Sequence, residues 1–320
     1  MDISALLEWA SGLGERARRD EPLAPYTAMR VGGPADLLVI CRTTEEVVEA
    51  VQRAHAAGVP WRVLGGGCNV LVSDAGVRGL VVVNRADRTR IGADGTVWAE
   101  AGAPMAALAR ETVARGLAGL EWAAGLPGTV GGAVVGNAGA FGGDVASVLR
   151  SVTLLEPDGN VTERPAAWME FAYRESRIKR TPSGERPVVL AATFCLSPGD
   201  PSALAARVEE ILAWRRTRHP SGATMGSTFK NPPGNHAGRL IEAAGLKGYR
   251  IGGAMVSELH ANFLINTGSA TAADVRALIQ YIQAEVERQF GIRLEPEVEF
   301  IGWDAEEEIP RRHQDAKYHC

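Results

Sequence analysis

The sequence predicts an α+β protein with more than one domain, and three observations carry that expectation. Short runs rich in Val, Leu and Ile alternate with amphipathic helical patterns over roughly the first 200 residues. The length of 320 residues exceeds what one small core needs, about 150 per domain being usual. Two glycine-rich segments break the regular pattern, and glycine in such density marks close backbone approach. Hydrophobic residues make up 46% and charged residues 22%, enough apolar material for a large core and too ordinary a balance for a disordered chain.

Residues 36–41, 61–64 and 80–84 read as strands from their length and β-branched content. Between the first two, Thr43 and Glu46 form a capping-box pattern, Val47, Val48, Val51 and Ala54 share one helical face, and Gly58 is the stop. Residues 97–100 repeat the strand pattern, Pro104 opens a helix to about Arg115, and Asp158-Gly159 marks a hairpin. Asp200 and Pro201 open a long helix through Val208, Ile211, Leu212 and Trp214 to the basic cluster Arg215, Arg216 and Arg218, placed as a crossing between domains. A last helix starts near Thr271, carries Val275, Leu278, Ile279, Ile282, Val286 and Phe290 at i, i+3, i+4 spacing, and stops at Gly291. Residues 303–320 have no periodicity and read as a tail. The expected division is therefore 1–85, 86–200, 201–302 and the tail.

Composition excludes several classes of function. The formal charge is −4 with no long basic block, which disfavours nucleic acid and anionic membrane as partners. Cys41, Cys68, Cys195 and Cys320 lie far apart without a CxxC pair, and the six histidines show no HExxH spacing, so no metal is expected and a reducing cytoplasmic setting fits. The N-terminus lacks the basic and apolar regions of a secretory signal. Residues 122–143 run without a charge for long enough to span a bilayer, yet eight glycines and Pro127 suit a buried loop region hugging a ligand.

Leu64-Gly-Gly-Gly-Cys-Asn-Val-Leu-Val follows an expected strand, where successive glycines let backbone N–H groups turn toward an anion such as a pyrophosphate. The run fails the Rossmann fingerprint, since the third glycine position is Val70, and no Gly-Lys-Ser/Thr completes a P-loop. Pro127-Gly-Thr-Val-Gly-Gly-Ala-Val-Val-Gly-Asn-Ala-Gly is the second such segment, and the two together suit an extended cofactor. These runs, with Thr27 to Asp36, Tyr173-Arg-Glu-Ser, Gly226-Ser-Thr-Phe-Lys-Asn-Pro, His260-Ala-Asn-Phe and Leu294-Glu-Pro-Glu-Val, resemble the UDP-N-acetylenolpyruvoylglucosamine reductase (MurB) family over residues 25–302, in the family's order.

The resemblance implies an FAD-binding fold of the vanillyl-alcohol-oxidase (PCMH) type in two α+β subdomains, with a smaller α+β substrate-binding domain. It implies NADPH as electron donor, a UDP-sugar enolpyruvyl ether as substrate, a cytoplasmic place in peptidoglycan precursor synthesis, and a monomer. Short spacing from Tyr173 to Ser227 favours the subclass without an inserted tyrosine loop. Ser227 matches the family's proton donor, Arg174 its catalytic arginine and Glu297 its catalytic glutamate; outside this context Ser227 would read as a loop cap. A guanidinium fork suits a carboxylate gaining enolate character. The nearby Glu295 would push at least one carboxyl pKa upward, suiting Glu297 to a protonated role. Flavin contacts are expected from Gly65, Gly66, Gly67, Cys68, Asn69, Val70, Pro127, Gly128, Thr129, Gly132, Ala138, Gly139 and Arg215, and substrate contacts from Tyr173, Arg218, Lys230, Asn231, His260 and Asn262. Cys68 stands where serine is common, so one hydroxyl contact is lost. An FAD-dependent oxidase on the same fold, or a flavin-binding module without turnover, are the alternatives; the Gly226–Pro232 run together with Glu297 speaks for the reductase.

Overall fold

A computed structural model describes residues 4–303, and its helices are Ser4–Ser11 (α1), Thr44–Ala56 (α2), Met105–Ala114 (α3), Val130–Val135 (α4), Arg177–Arg180 (α5), Pro201–Arg218 (α6), Ala237–Ala243 (α7) and Ala272–Phe290 (α8). The expected tail, with Cys320, falls almost wholly outside the described residues. The chain forms two compact units.

The first unit takes the residues up to Pro22, Pro34–Gly67 and Val77–Arg218. Its four-stranded sheet runs Ala17–Pro22, Pro34–Cys41, Val77–Asn84, Trp61–Leu64, antiparallel at the first pairing and parallel at the other two. The parallel strands Pro34–Cys41 and Trp61–Leu64 are connected by α2, as parallel pairing requires a crossover. Thr43 caps α2 by accepting from the Glu46 amide at 3.2 Å, while the Glu46 carboxylate turns instead to the Arg42 amide at 2.7 Å and to Arg16 at 2.5 Å. Val47, Ala50, Val51 and Ala54 form its buried face. The second sheet is antiparallel, in the order Val161–Pro165, Leu149–Leu155, Val188–Cys195, Thr96–Glu100, Thr89–Ile91. One core lies around α2 and includes Leu37, Leu80, Leu155 and Leu190; another gathers the second sheet, α3, α4 and Val208 of α6.

Residues 130–135, expected as loop, form a short helix. Two glycines at its start permit this: a Cβ on Gly131 would sit 2.9 Å from Ala101 Cβ, so the helix packs at a distance only glycine allows.

The second unit takes Leu23–Gly33, Cys68–Gly76 and the chain from His219 onward. Its strands Arg250–Ile251, Ala254–Val256 and Leu264–Asn266 form one small sheet, and Glu299–Ile301 pairs in parallel with Val70–Val72. The buried stripe of α8 (Val275, Leu278, Ile279, Ile282 and Val286) packs with Leu240, Ile241 and Phe229. Thr271 and Asp274 make a complete capping box, Asp74 accepts from the Ala272 and Ala273 amides at 2.8 Å each, and Gly291 closes the helix at φ +67°.

Two expected boundaries are corrected. Residues 23–33 and 68–76 leave the N-terminal subdomain because Met29, Val31 and Leu71 are buried in the core of the second unit. The helix α6 belongs wholly to the first unit, its Val208 sealing that core, so the division falls after Arg218 and not at residue 201.

Candidate active site

In the first unit, the strand Trp61–Leu64 delivers the triple glycine. A Cβ on Gly65 would lie 2.4 Å from Thr129 Oγ1, Gly67 has φ +63°, and the Gly65 carbonyl accepts from Arg85 Nη1 at 2.8 Å. The two glycine segments thus meet at Gly65 and Thr129. Gly128, at φ +103°, accepts from the Met105 amide at 3.1 Å, and Gly131 donates to the Ala101 carbonyl at 2.8 Å, which ties the second segment to the start of α3.

Beyond α4 the chain turns at Asn137, 5% exposed with φ +41°, a conformation that asparagine tolerates better than most side chains. Its Nδ2 donates to the Ala172 carbonyl at 2.9 Å and its Oδ1 accepts from the Ala146 amide at 3.0 Å. Ala172 and Glu175 close a tight turn that carries Tyr173 and Arg174 at its tip. Arg174 sits at φ +58°, its Nη2 donates to the Gly139 carbonyl at 2.6 Å, and its guanidinium lies 5.6 Å from the Tyr173 ring centroid. The buried Lys179 donates from Nζ to the Arg174 carbonyl at 2.9 Å, and Ser176 caps α5 while donating to the Val135 carbonyl at 2.6 Å. Asn137, Gly139–Asp144, Tyr173 and Arg174 line a cavity of about 260 Å³.

Arg215, on α6, is half-buried against Gly125, where a Cβ would meet its Cδ at 2.8 Å. Burial lowers its pKa, and among the described residues no carboxylate pairs with it. A desolvated guanidinium without a counter-ion is suited to an anionic ligand. Arg218 is exposed, with its guanidinium 5.1 Å from the Trp214 ring, which in turn meets Phe141 edge-on at 5.1 Å.

In the second unit, Ser227 to Lys230 run between two other segments and are joined to each by an isolated β-bridge and backbone hydrogen bonds. On one side Ser227 bridges Phe263 and the Thr228 amide donates to the Asn262 carbonyl at 2.8 Å. On the other, Phe229 bridges Pro296, the Glu297 amide donates to the Thr228 carbonyl at 2.8 Å, and the Lys230 amide donates to the Glu295 carbonyl at 2.9 Å. Ser227 and Glu297, 70 positions apart in the chain, are thereby held on neighbouring segments. Asn69 fixes the outer side of Glu297: its Nδ2 donates to the Glu297 carbonyl at 3.1 Å, and its own carbonyl accepts from Glu299 at 3.0 Å. Lys230 and Glu295 form a half-buried ion pair at 2.6 Å. His260 has its pKa lowered, by burial first and then by Lys247; its Nδ1 accepts from the Asn262 amide at 3.2 Å.

With this geometry in view, the comparisons with known proteins are decisive. The family model described as UDP-N-acetylenolpyruvoylglucosamine reductase, C-terminal domain, matches residues 218–301, and the one described as FAD binding domain matches residues 35–164. UDP-N-acetylenolpyruvoylglucosamine reductase of Chloroflexus aggregans is 46% identical over 89% of this chain and 97% of its own. The chain belongs to the UDP-N-acetylenolpyruvoylglucosamine reductase family. The reductase of Rubrobacter xylanophilus is also 46% identical, over 89% of this chain and 95% of its own. The crystal structure of the Thermus caldophilus reductase superposes with a TM-score of 0.76 at 36% identity, covering 89% of this chain and 99% of that one. The expected α+β FAD-binding fold is therefore the one found.

Within this reductase fold several of the expected contact residues make bonds of their own. The Asn231 Oδ1 accepts at 3.0 Å from the Ala237 amide at the start of α7, and the side-chain amide of Asn262, like Asn231 expected on substrate, is bonded to the Phe229 backbone. Cys68, Asn69 and Val70, expected on the flavin, belong to the second unit, where Asn69 holds Glu297 and Val70 pairs with Glu299. Glu295, expected to raise a carboxyl pKa beside Glu297, is instead ion-paired with Lys230. Sequence reading passed over Asn137, although a single amide in an otherwise uncharged glycine run is the signal of a buried turn. No described helix is long and apolar enough to cross a membrane.

The first unit fits the flavin nucleotide of its family. Its two glycine segments bring backbone together without charged side chains, and Arg215, which pairs with no carboxylate among the described residues, is a cation suited to a diphosphate.

Proposed function

We propose that this chain reduces UDP-N-acetylglucosamine enolpyruvate to UDP-N-acetylmuramate with NADPH, as an FAD-dependent oxidoreductase acting on a CH–CH bond, in peptidoglycan precursor synthesis. Bound FAD would supply the redox chemistry, taking a hydride from NADPH and delivering it from N5 to C3 of the enolpyruvyl group. Gly65, Gly66, Gly67, Gly128, Thr129, Gly132, Gly139 and Arg215 are the residues assigned to hold it.

The chain's own groups handle the proton and the charge. Hydride addition at C3 leaves negative charge at C2, delocalised into the carboxylate, and a proton is required at C2. Ser227 is assigned as that donor, with Glu297 on the adjacent segment assigned to the developing charge. Arg174 is assigned to the substrate carboxylate, which its guanidinium binds through two oxygens. Tyr173, Arg218, Lys230 and His260 are assigned to the remaining substrate contacts. The observation that carries this reading is the hydrogen bond from the Glu297 amide to the Thr228 carbonyl, which keeps the residue bearing a hydroxyl donor and the one bearing a carboxyl on directly bonded segments. A monomer in the cytoplasm is the accompanying expectation.

An anaerobic absorbance experiment tests it. NADPH should bleach the flavin, and UDP-N-acetylglucosamine enolpyruvate should restore the oxidised spectrum with formation of UDP-N-acetylmuramate. Ser227→Ala should leave the bleaching intact and slow the recovery by roughly 100- to 10,000-fold, the range for loss of a general acid. Equal slowing of both steps would remove Ser227 as the donor.

A further inference from the structure

We infer that Asn262 is a positioning residue for the reaction, acting on Ser227 through the backbone of Phe229. The inference rests on the assignment of Ser227 as proton donor.

Asn262 is 4% exposed, and its side-chain amide lies flat against one peptide segment. Its Oδ1 accepts from the Phe229 amide at 2.9 Å, and its Nδ2 donates to the Phe229 carbonyl at 2.8 Å. Its own carbonyl accepts from the Thr228 amide at 2.8 Å. A side chain here does what a neighbouring strand would do, pairing both polar groups of one residue. Phe263, next in the chain, bridges Ser227, so a single two-residue stretch meets three successive residues from the donor onward. On the other side Thr228 is bonded to Glu297 and Lys230 to Glu295. With Thr228 bonded on both sides, the residue next to Ser227 has little freedom to drift, whereas Gly226 before it, at φ +77° and with open space around its α-carbon, offers no such restraint.

The backbone that carries this side chain is itself braced. The Asn262 backbone N–H donates to His260 Nδ1, which assigns the neutral imidazole with its proton on Nε2. His260 also packs against His219 and Phe263, at 5.9 and 4.9 Å between ring centroids. Among the described residues the side-chain amide of Asn262 is committed to the Phe229 backbone alone, so its contribution to turnover would pass through geometry and not through contact with substrate.

The test is Asn262→Asp and Asn262→Leu beside Ser227→Ala, measured in the two half-reactions and by hydrogen exchange of the 227–231 amides. Asn262→Asp keeps the acceptor for the Phe229 amide and loses the donor to its carbonyl, and a buried carboxyl that protonates regains that donor. The expected result is flavin reduction by NADPH at the parent rate, recovery by the enolpyruvyl substrate slowed about 10- to 100-fold with little change in KM, and restoration of the rate as pH is lowered. Exchange at 228–230 should quicken in parallel. Asn262→Leu should show the same slowing without pH rescue. If Asn262→Asp folds and recovers its flavin spectrum at the parent rate across the pH range while Ser227→Ala is slow, the positioning role is wrong and the donor assignment stands. If Ser227→Ala is also unaffected, both fall together.

Discussion

Lys179→Met isolates what holds Arg174 in its turn. The lysine is 6% exposed and its Nζ lies 2.9 Å from the Arg174 carbonyl. A hydrogen bond from a charged donor contributes about 1.5–3 kcal/mol net. The left-handed backbone of Arg174, φ +58°, costs about 1–3 kcal/mol for a residue with a side chain. The two magnitudes match, so the ammonium offsets the strain that the turn carries. Methionine preserves the length and apolar stem, and removes a charge that is itself costly to bury. Other ties remain, among them Asn137 on Ala172, the guanidinium on Gly139 and the Ala172–Glu175 backbone bonds, so the turn should loosen without unfolding. A loss of about 1.4 kcal/mol corresponds to a tenfold fall in the competent population. Anaerobic stopped-flow absorbance should therefore show flavin recovery by the enolpyruvyl substrate slowed about tenfold, with reduction by NADPH unchanged. An unaltered recovery rate would refute the strain argument. Equal slowing of both steps would show that the substitution had disturbed the flavin site instead.

Three further expectations concern the surrounding structure. Glu100 is fully buried and accepts from Arg88 and from Thr44, at 2.6 and 2.8 Å; burial pushes its carboxyl upward, but the Arg88 and Thr44 bonds outweigh it and hold the pKa below 4.5. Because the folded pKa lies below the unfolded one, its stabilisation is present above about pH 4.5 and fades as pH falls through the folded value. Glu100→Gln should cost about 1–3 kcal/mol in urea denaturation at pH 7, and less near pH 3; a cost that does not change with pH would show that packing alone is lost. Gly65→Ala should lower the ratio of flavin absorbance to protein absorbance on purification, since its Cβ would meet Thr129 Oγ1 at 2.4 Å, while Gly184→Ala, with nothing within 4 Å, should leave it unchanged. Glu297→Gln should slow flavin recovery less than Glu297→Ala, because the amide retains a donor for developing charge; equal losses would argue that the carboxylate's charge is what matters.

Much of the fold is legible in the sequence because its signals are local. Thr271, Asp274 and Gly291 bracket α8 by capping chemistry that involves only neighbouring residues, and the same holds for Thr43 at α2 and for the Asp158-Gly159 turn. The resemblance carried by Gly226 to Pro232 singled out Ser227, and the structure sets it beside Thr228, whose carbonyl accepts from the Glu297 amide. What escaped is decided by partners distant in the chain. Val70, Leu71 and Val72 are three apolar residues that suit any sheet, and only Glu299–Ile301 determines which one they join. Asn231 and Asn262 could be placed near a substrate by motif, but which backbone groups their side chains bond depends on where α7 begins and on the path of residues 227–229. Lys230 likewise meets Glu295, and that pairing exists only once two segments 65 positions apart lie side by side.

The interlacing of the chain also orders its own synthesis. The stretch 68–76 leaves the ribosome early, yet Asn69 awaits a carbonyl 228 positions later and Asp74 an amide 198 positions later. Until Glu299–Ile301 emerges, Val70–Val72 has no strand to pair with and Leu71 no finished core. Such long-range closure is slow compared with forming local turns. The second unit can therefore mature only after residues 299–301 have been made, and a fragment beginning at His219 would lack the strand and the buried side chains supplied from residues 23–33 and 68–76. The stretch that follows the three glycines is thus finished from a distance, by a strand that the ribosome supplies much later.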